Sequence, residues 1–220
     1  MNVRNKIFRK LSSFSREYLQ QYDHFVCVYG SCASGYYCGT SDIDVFIFVE
    51  QYNVEILTKS IDFLTDLHVQ CRLNIDNEVP YANKLVVSYQ DVVHAINLRP
   101  FFNANGECYV PPIEKTEKFL SSKEIRWRLI LNALTSPHRF ISGNKEKYLF
   151  FKVEAEKSIT RLSYKLMNTP GPTLDDLVRR LLFGVHGEEG EMYLGYKNER
   201  KKIVKYLRNI IKRNSVPCKI

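Results

Sequence analysis

Long apolar runs are missing from this chain. Nowhere do about 20 consecutive apolar residues occur, the length a membrane-crossing helix needs, so no span is expected. The stretch MNVRNKIFRKLSSF at the amino terminus has neither the unbroken apolar core nor the small-residue cleavage site of a secretion signal. It reads as an amphipathic helix, and a cytoplasmic location is the expectation. The six cysteines (Cys27, Cys32, Cys38, Cys71, Cys108, Cys218) contain no CxxC pair, and two fall inside strand-like runs, so reduced thiols are expected rather than a disulfide framework or a zinc site. The five histidines are scattered and show no metal-ligand spacing. There is no internal repeat and no low-complexity tract.

What is present suits a globular protein. With 220 residues, 45% hydrophobic and 25% charged, the chain can bury one large core or two small ones. Its net charge of +8 is unevenly placed. Residues 1–100 hold 9 Lys+Arg against 11 Asp+Glu, a balance of −2; the other 120 hold 32 − 9 = 23 against 24 − 11 = 13, a balance of +10. A basic second half points to an anionic partner, of which nucleic acid is the commonest.

Apolar spacing predicts a helix over 3–21, through Val3, Ile7, Leu11, Phe14 and Tyr18. Strands are expected at FVCVY (25–29) and DIDVFIFV (42–49), the latter apolar on both faces in its later part, as a central strand would be. A helix is expected over 54–67, then a half-buried strand over 68–76, where Val69, Cys71, Leu73 and Ile75 alternate with polar residues. Ser88-Tyr-Gln-Asp91 reads as a capping box opening a short helix to about Leu98. A linker rich in Pro, Asn and Gly follows at 99–112. Beyond it only helical patterns are read: about 114–134, 144–167 capped by Ser142 or Asn144, a short one after Pro172-Thr173, and 191–213. The expectation is an α+β protein, with a small mixed sheet in a domain over 1–112 and a helical domain over 113–220.

The chemistry concentrates in VYGSCASGYYCGTSDIDVFIFV, Val28 to Val49. Asp42 and Asp44, two apart on a strand, would leave the same face, where two carboxylates repel unless a cation lies between them. Hard divalent cations take carboxylate oxygens, and Asp76 on a neighbouring strand would complete a cluster of three, suited to two Mg²⁺ ions, or Mn²⁺ in their place. Gly30 lets the backbone approach a ligand closely, while the Ser31 hydroxyl and nearby N–H groups can hold phosphate oxygens.

The pattern Gly30-Ser31-x-Ala33-x-Gly35-x5-Ser41-Asp42-Ile43-Asp44 resembles the signature of the DNA polymerase β-like nucleotidyltransferases, and among them the minimal nucleotidyltransferases. The resemblance covers about residues 25–78. It implies that Asp42 and Asp44 bind both metal ions and that a third carboxylate, Asp76 or else Glu78, binds the catalytic metal and aids deprotonation of the acceptor. Gly30, Ser31 and Ser41 would contact the nucleotide. The implied reaction moves a nucleoside monophosphate from an NTP to an acceptor hydroxyl with release of pyrophosphate (EC 2.7.7 type).

Three acceptor classes stay open: RNA, as for a toxin-like RNA-modifying enzyme, which the basic half favours; a small molecule such as an antibiotic; or a protein, with an antitoxin-like or inactive nucleotide-binding module in the same group. Eight basic residues against one acidic residue over 197–213 form a positive helix face, either solvated or in contact with a nucleic-acid backbone. Lys152, Lys157 and Arg161 are candidates to close over the triphosphate, with plain surface charge as the alternative. The sequence is silent on oligomeric state.

Overall fold

The computed structural model describes residues 2–35, 42–74, 85–97 and 122–167, together with Lys205, 208–210 and Arg213. No helix among them is long and apolar enough to cross a membrane. They form two compact units: Met1–Val92 with Pro137–Phe150, and Val93–Ser136 with Phe151–Ile220. The boundary expected near residue 112 lies outside the described residues.

The first unit opens with α1 (Val3–Phe14), whose Asn2 side chain caps it by accepting from the Arg4 N–H at 2.9 Å. Ile7, Phe8, Leu11 and Phe14 are its buried stripe. The predicted continuous helix is interrupted here: Ser15–Leu19 forms a π-helical turn, and Tyr18 is 49% exposed. Strands β1 (His24–Val28) and β2 (Val45–Val49) pair antiparallel, Val28 opposite Val45 and His24 opposite Val49. The short helix α2 (Gly30–Ser34) leaves the end of β1. After β2 come α3 (Val54–Cys71), β3 (Val86–Ser88), which pairs parallel to β2, and α4 (Tyr89–Ile96). The capping box is present, with Asp91 N–H donating to Ser88 Oγ at 3.1 Å and Ser88 N–H to Asp91 Oδ2 at 3.2 Å.

Two expectations are corrected. Over 68–74, the described part of the strand predicted for 68–76, no strand forms: α3 runs on to Cys71, and Arg72 ends it in the left-handed conformation (φ 55°). The alternation of Val69, Cys71 and Leu73 was a coincidence of spacing. Helical burial at Ile56, Ser60, Leu64, Leu67, His68 and Cys71 governs instead, and it leaves Val69 62% exposed. Second, the later part of the chain is not purely helical. Strand β4 (Arg139–Gly143) pairs antiparallel to β1 with a register shift between Val26 and Cys27, giving a mixed sheet in the order β3-β2-β1-β4. Helices α5 (Ser122–Thr135) and α6 (Lys145–Met167) flank it in sequence, and Asn144, not Ser142, caps α6 by accepting from the Lys147 N–H at 3.0 Å.

The architecture is α+β. Every residue of β1 and β2 is buried, so both faces of the central strands are covered. Alternate residues sort into two cores. Val26, Val28, Val45, Ile47 and Val49 pack with Ile7, Leu11, Ile56, Leu64 and Leu67 of α1 and α3 in an aliphatic cluster. The opposite parity is aromatic: Phe25 stacks on Phe48 at 4.3 Å, Tyr29 on Phe46 at 5.1 Å, and Phe25 lies 5.9 Å from Tyr89. Each such side chain contributes roughly 1.5–3 kcal/mol by leaving water.

In the second unit, α5 buries Leu129, Ile130, Leu131 and Leu134, and α6 buries Phe151, Ala155, Ile159 and Leu162. Ser158 donates from Oγ to the Ile96 carbonyl, and Glu156 is bonded to both Lys152 and Arg213.

Candidate active site

The Gly-Ser turn and the Asp-Ile-Asp segment meet at one end of the central strands. Beyond the last paired residues, Val28 and Val45, the ladder gains one more bond: the Tyr29 N–H donates to the Asp44 carbonyl at 3.0 Å. This bond fixes Asp44 beside Gly30. Gly30 has φ +64°, and a Cβ built there would lie 2.0 Å from Asp44 Oδ2 and 2.8 Å from its Cγ. The Asp44 carboxylate therefore occupies the space that any other residue's Cβ would take, which is why this turn needs glycine.

Asp42 and Asp44 precede the strand instead of lying within it, since regular pairing starts at Val45. Both are partly buried, while Ile43 between them is 2% exposed and joins the aliphatic cluster. One thiol senses the pair together. Burial pushes the Cys32 thiol on α2 up to about 11, the Asp44 and Asp42 carboxylates add to the rise, and the Arg4 guanidinium opposes it. Arg4 is itself held from α1, donating from Nη2 to the Ala33 carbonyl at 2.5 Å and lying over the Phe8 ring.

The Asp44 carboxylate over the glycine turn, with Asp42 two residues earlier in the chain, offers the hard oxygen donor type that a divalent cation takes. Ser31 lies in the first turn of α2, where its carbonyl accepts from the Gly35 N–H at 3.0 Å. Ser41, Asp76 and the alternative Glu78 lie outside the described residues, among which no group of three His, Cys, Asp or Glu side chains is assembled for a metal.

The family model described as polymerase beta, nucleotidyltransferase matches residues 15–93, from the π-helical turn through β1, α2, β2, α3 and β3 into α4. This segment belongs to the DNA polymerase β-like nucleotidyltransferase superfamily. No curated protein and no solved structure matches the chain. The family match supports a transferase of the nucleotidyltransferase type.

Within the nucleotidyltransferase segment the structure brings Gly30, Ser31, Asp42 and Asp44 to one end of the sheet. It also adds a residue that sequence reasoning passed over. The Ile43 N–H donates to His68 Nε2 at 2.9 Å, and His68 Nδ1 lies 2.7 Å from the Leu64 carbonyl one turn back in α3. A signal was available, because His68 continues the Ile56, Ser60, Leu64 stripe at a spacing of four. Ending the helix at residue 67 hid it. The three cations considered for the triphosphate have partners in their own unit: Lys152 with Glu156, Lys157 with Glu154 at 2.6 Å, and Arg161 with Ser158 Oγ at 2.9 Å.

Proposed function

We propose that the protein transfers a nucleoside monophosphate from an NTP to an acceptor hydroxyl on RNA and releases pyrophosphate. The observation that supports this best is the Asp44 carboxylate packed over Gly30, because it joins a metal-ligand type to a phosphate-gripping turn. Asp42 and Asp44 hold the divalent cations, Mg²⁺ or Mn²⁺, with Asp76 as third carboxylate on the catalytic one. Bound there, the cations neutralise phosphate charge and ease loss of the acceptor proton. Gly30 and Ser31 hold the triphosphate, and Ser41 contacts the nucleotide. The acceptor oxygen forms its bond to the α-phosphorus as the bond to the bridging oxygen of the β-phosphate breaks, and the acceptor proton passes to the Asp76 carboxylate. Positioning and charge neutralisation supply most of the rate.

The RNA acceptor is favoured by the +10 balance of residues 101–220. Lys205 and Arg208 are exposed on helical backbone near buried Ile210, as a basic face over an apolar stripe requires. The test offers each α-labelled NTP with Mg²⁺ to total RNA, protein and small-molecule fractions, with Asp42→Asn as control. Label entering RNA, weakening steeply as salt rises and absent with the variant, is the expected result. Label in the small-molecule fraction would make the protein an antibiotic-modifying type of enzyme, and label in protein a protein-modifying one. No label in any fraction, with NTP binding intact, would make it a nucleotide-binding module without turnover.

A further inference from the structure

The Asp-Ile-Asp segment has a backbone problem that the sheet does not solve. Its first carboxylate lies two residues ahead of the last ladder bond, the one the Asp44 carbonyl accepts from Tyr29. Ile43 is buried, so its N–H needs an acceptor that is neither water nor a neighbouring strand. His68 is that acceptor. It is 2% exposed on α3, and its Nδ1 faces the Leu64 carbonyl, so the ring proton sits on Nδ1 and Nε2 offers its lone pair to Ile43. The ring is thus locked from behind by its own helix and aimed at the peptide linking the two aspartates. Gly30 and Tyr29 constrain Asp44 from one side; His68 constrains the Asp42–Ile43 peptide from the other.

We propose that His68 is a positioning residue of the nucleotidyltransferase site, holding Asp42 and Asp44 at the spacing a divalent cation requires through the Ile43 N–H. This rests on the metal-binding role of the two aspartates given above. Residues that orient ligands without touching the metal typically change affinity by about 10–100-fold when lost. His24 provides an internal control. It is also buried, at 6%, also uses both ring nitrogens (Ser15 Oγ at 2.7 Å and the Tyr22 carbonyl at 2.8 Å), and sits at the opposite end of β1.

The experiment uses the full chain and Mn²⁺ alone as probe, read by electron paramagnetic resonance, with amide hydrogen exchange of Ile43 measured in parallel. His68→Phe keeps the ring volume without an acceptor, His68→Gln restores an acceptor oxygen, and His24→Phe inflicts similar damage elsewhere. The expected result is that His68→Phe loses Ile43 protection and binds Mn²⁺ roughly 10–100-fold more weakly. His68→Gln should recover most of both, and His24→Phe should retain wild-type Mn²⁺ affinity. Unchanged Mn²⁺ affinity in His68→Phe, or equal losses in His68→Phe and His24→Phe, would overturn the proposal and leave His68 a packing residue. Asp44→Asn separates the two levels: if it leaves Mn²⁺ affinity unchanged, the metal reading of the aspartates fails, and the proposal falls with it.

Discussion

The two ends of the central strands are built from similar parts and do opposite things with them. At the His24 end the polar groups close on the chain itself. The Glu50 N–H donates to the Asp23 carbonyl at 2.9 Å, the Asn144 N–H to the His24 carbonyl at 2.7 Å, and the Asn144 side chain to Asp23 Oδ1 at 2.8 Å. At the other end a glycine with positive φ lets a carboxylate, Asp44, fold over the turn, and a buried histidine holds the peptide beside it. Each end has one glycine that must be glycine and one buried histidine. At the first, the glycine Gly143 admits backbone, the His24 carbonyl lying 2.3 Å from where a Cβ would be; at the second, Gly30 admits a side chain. The first end closes on backbone; the second makes room for a charged side chain, the one proposed to hold a metal ion.

That contrast can be tested by substitution. Asp44→Asn should lower nucleotide transfer by about 10³-fold, while thermal unfolding shifts little, because the amide retains the shape over Gly30; a melted variant would make Asp44 structural. The two glycines should then divide. Gly143→Ala meets immovable backbone and should cost about 3 kcal/mol of stability, read by urea denaturation. Gly30→Ala meets a side chain that can swing away and should cost about 1–2 kcal/mol for its left-handed backbone, yet abolish transfer by displacing Asp44. Loss of activity in proportion to stability for both would erase the distinction. Asn144→Ala, which removes the cap of α6 and the bond to Asp23, should cost about 1–2 kcal/mol with turnover unaffected in the folded fraction.

One effect is confined to alkaline pH and is absent at neutrality. Burial raises Cys32 from 9.0 to about 11 and pushes Cys27 and the Tyr89 hydroxyl upward as well. The unfolded chain releases the thiol protons above pH 9.0 and the Tyr89 proton above pH 10.0 while the folded one keeps them. Stability is therefore full below pH 9 and declines from 9 toward 11, by about 1.4 kcal/mol per pH unit for each thiol. Cys32→Ala should flatten that decline in urea midpoints measured against pH.

Much of the site was legible in the sequence because its chemistry restricts residue type: few arrangements other than a ligand turn put Gly-Ser ten residues ahead of Asp-Ile-Asp between apolar runs. The apolar run predicts Asp42 and Asp44 within a strand, but the ladder stops at Tyr29–Asp44 and they lead into it. What was misread depended on tertiary context. Residues 68–71 carry an alternation that suits a strand, but the buried stripe of α3 extends through Leu67, His68 and Cys71, and burial outweighs local pattern. Strand β4 was missed because Arg139–Gly143 is a half-exposed edge whose strand character comes from pairing with β1, a distant partner that no local window contains. Asp76 lies outside the described residues; Asp76→Asn in the transfer assay, beside Glu78→Gln, tests which of the two is the third carboxylate.

Strand β4 has a consequence for anyone who would cut this protein down. Gly143 pairs with Phe25, 143 − 25 = 118 positions earlier, so the segment carrying the family match borrows its fourth strand from far downstream. A shortened version ending near residue 112 would expose the open side of β1, a fully buried row of His24, Phe25, Val26, Cys27 and Val28, as a template for other chains. Such a fragment should collect in aggregates. Closing so long a loop also makes sheet completion a late event in folding, so during synthesis β1 must wait with its edge bare until residue 143 has emerged.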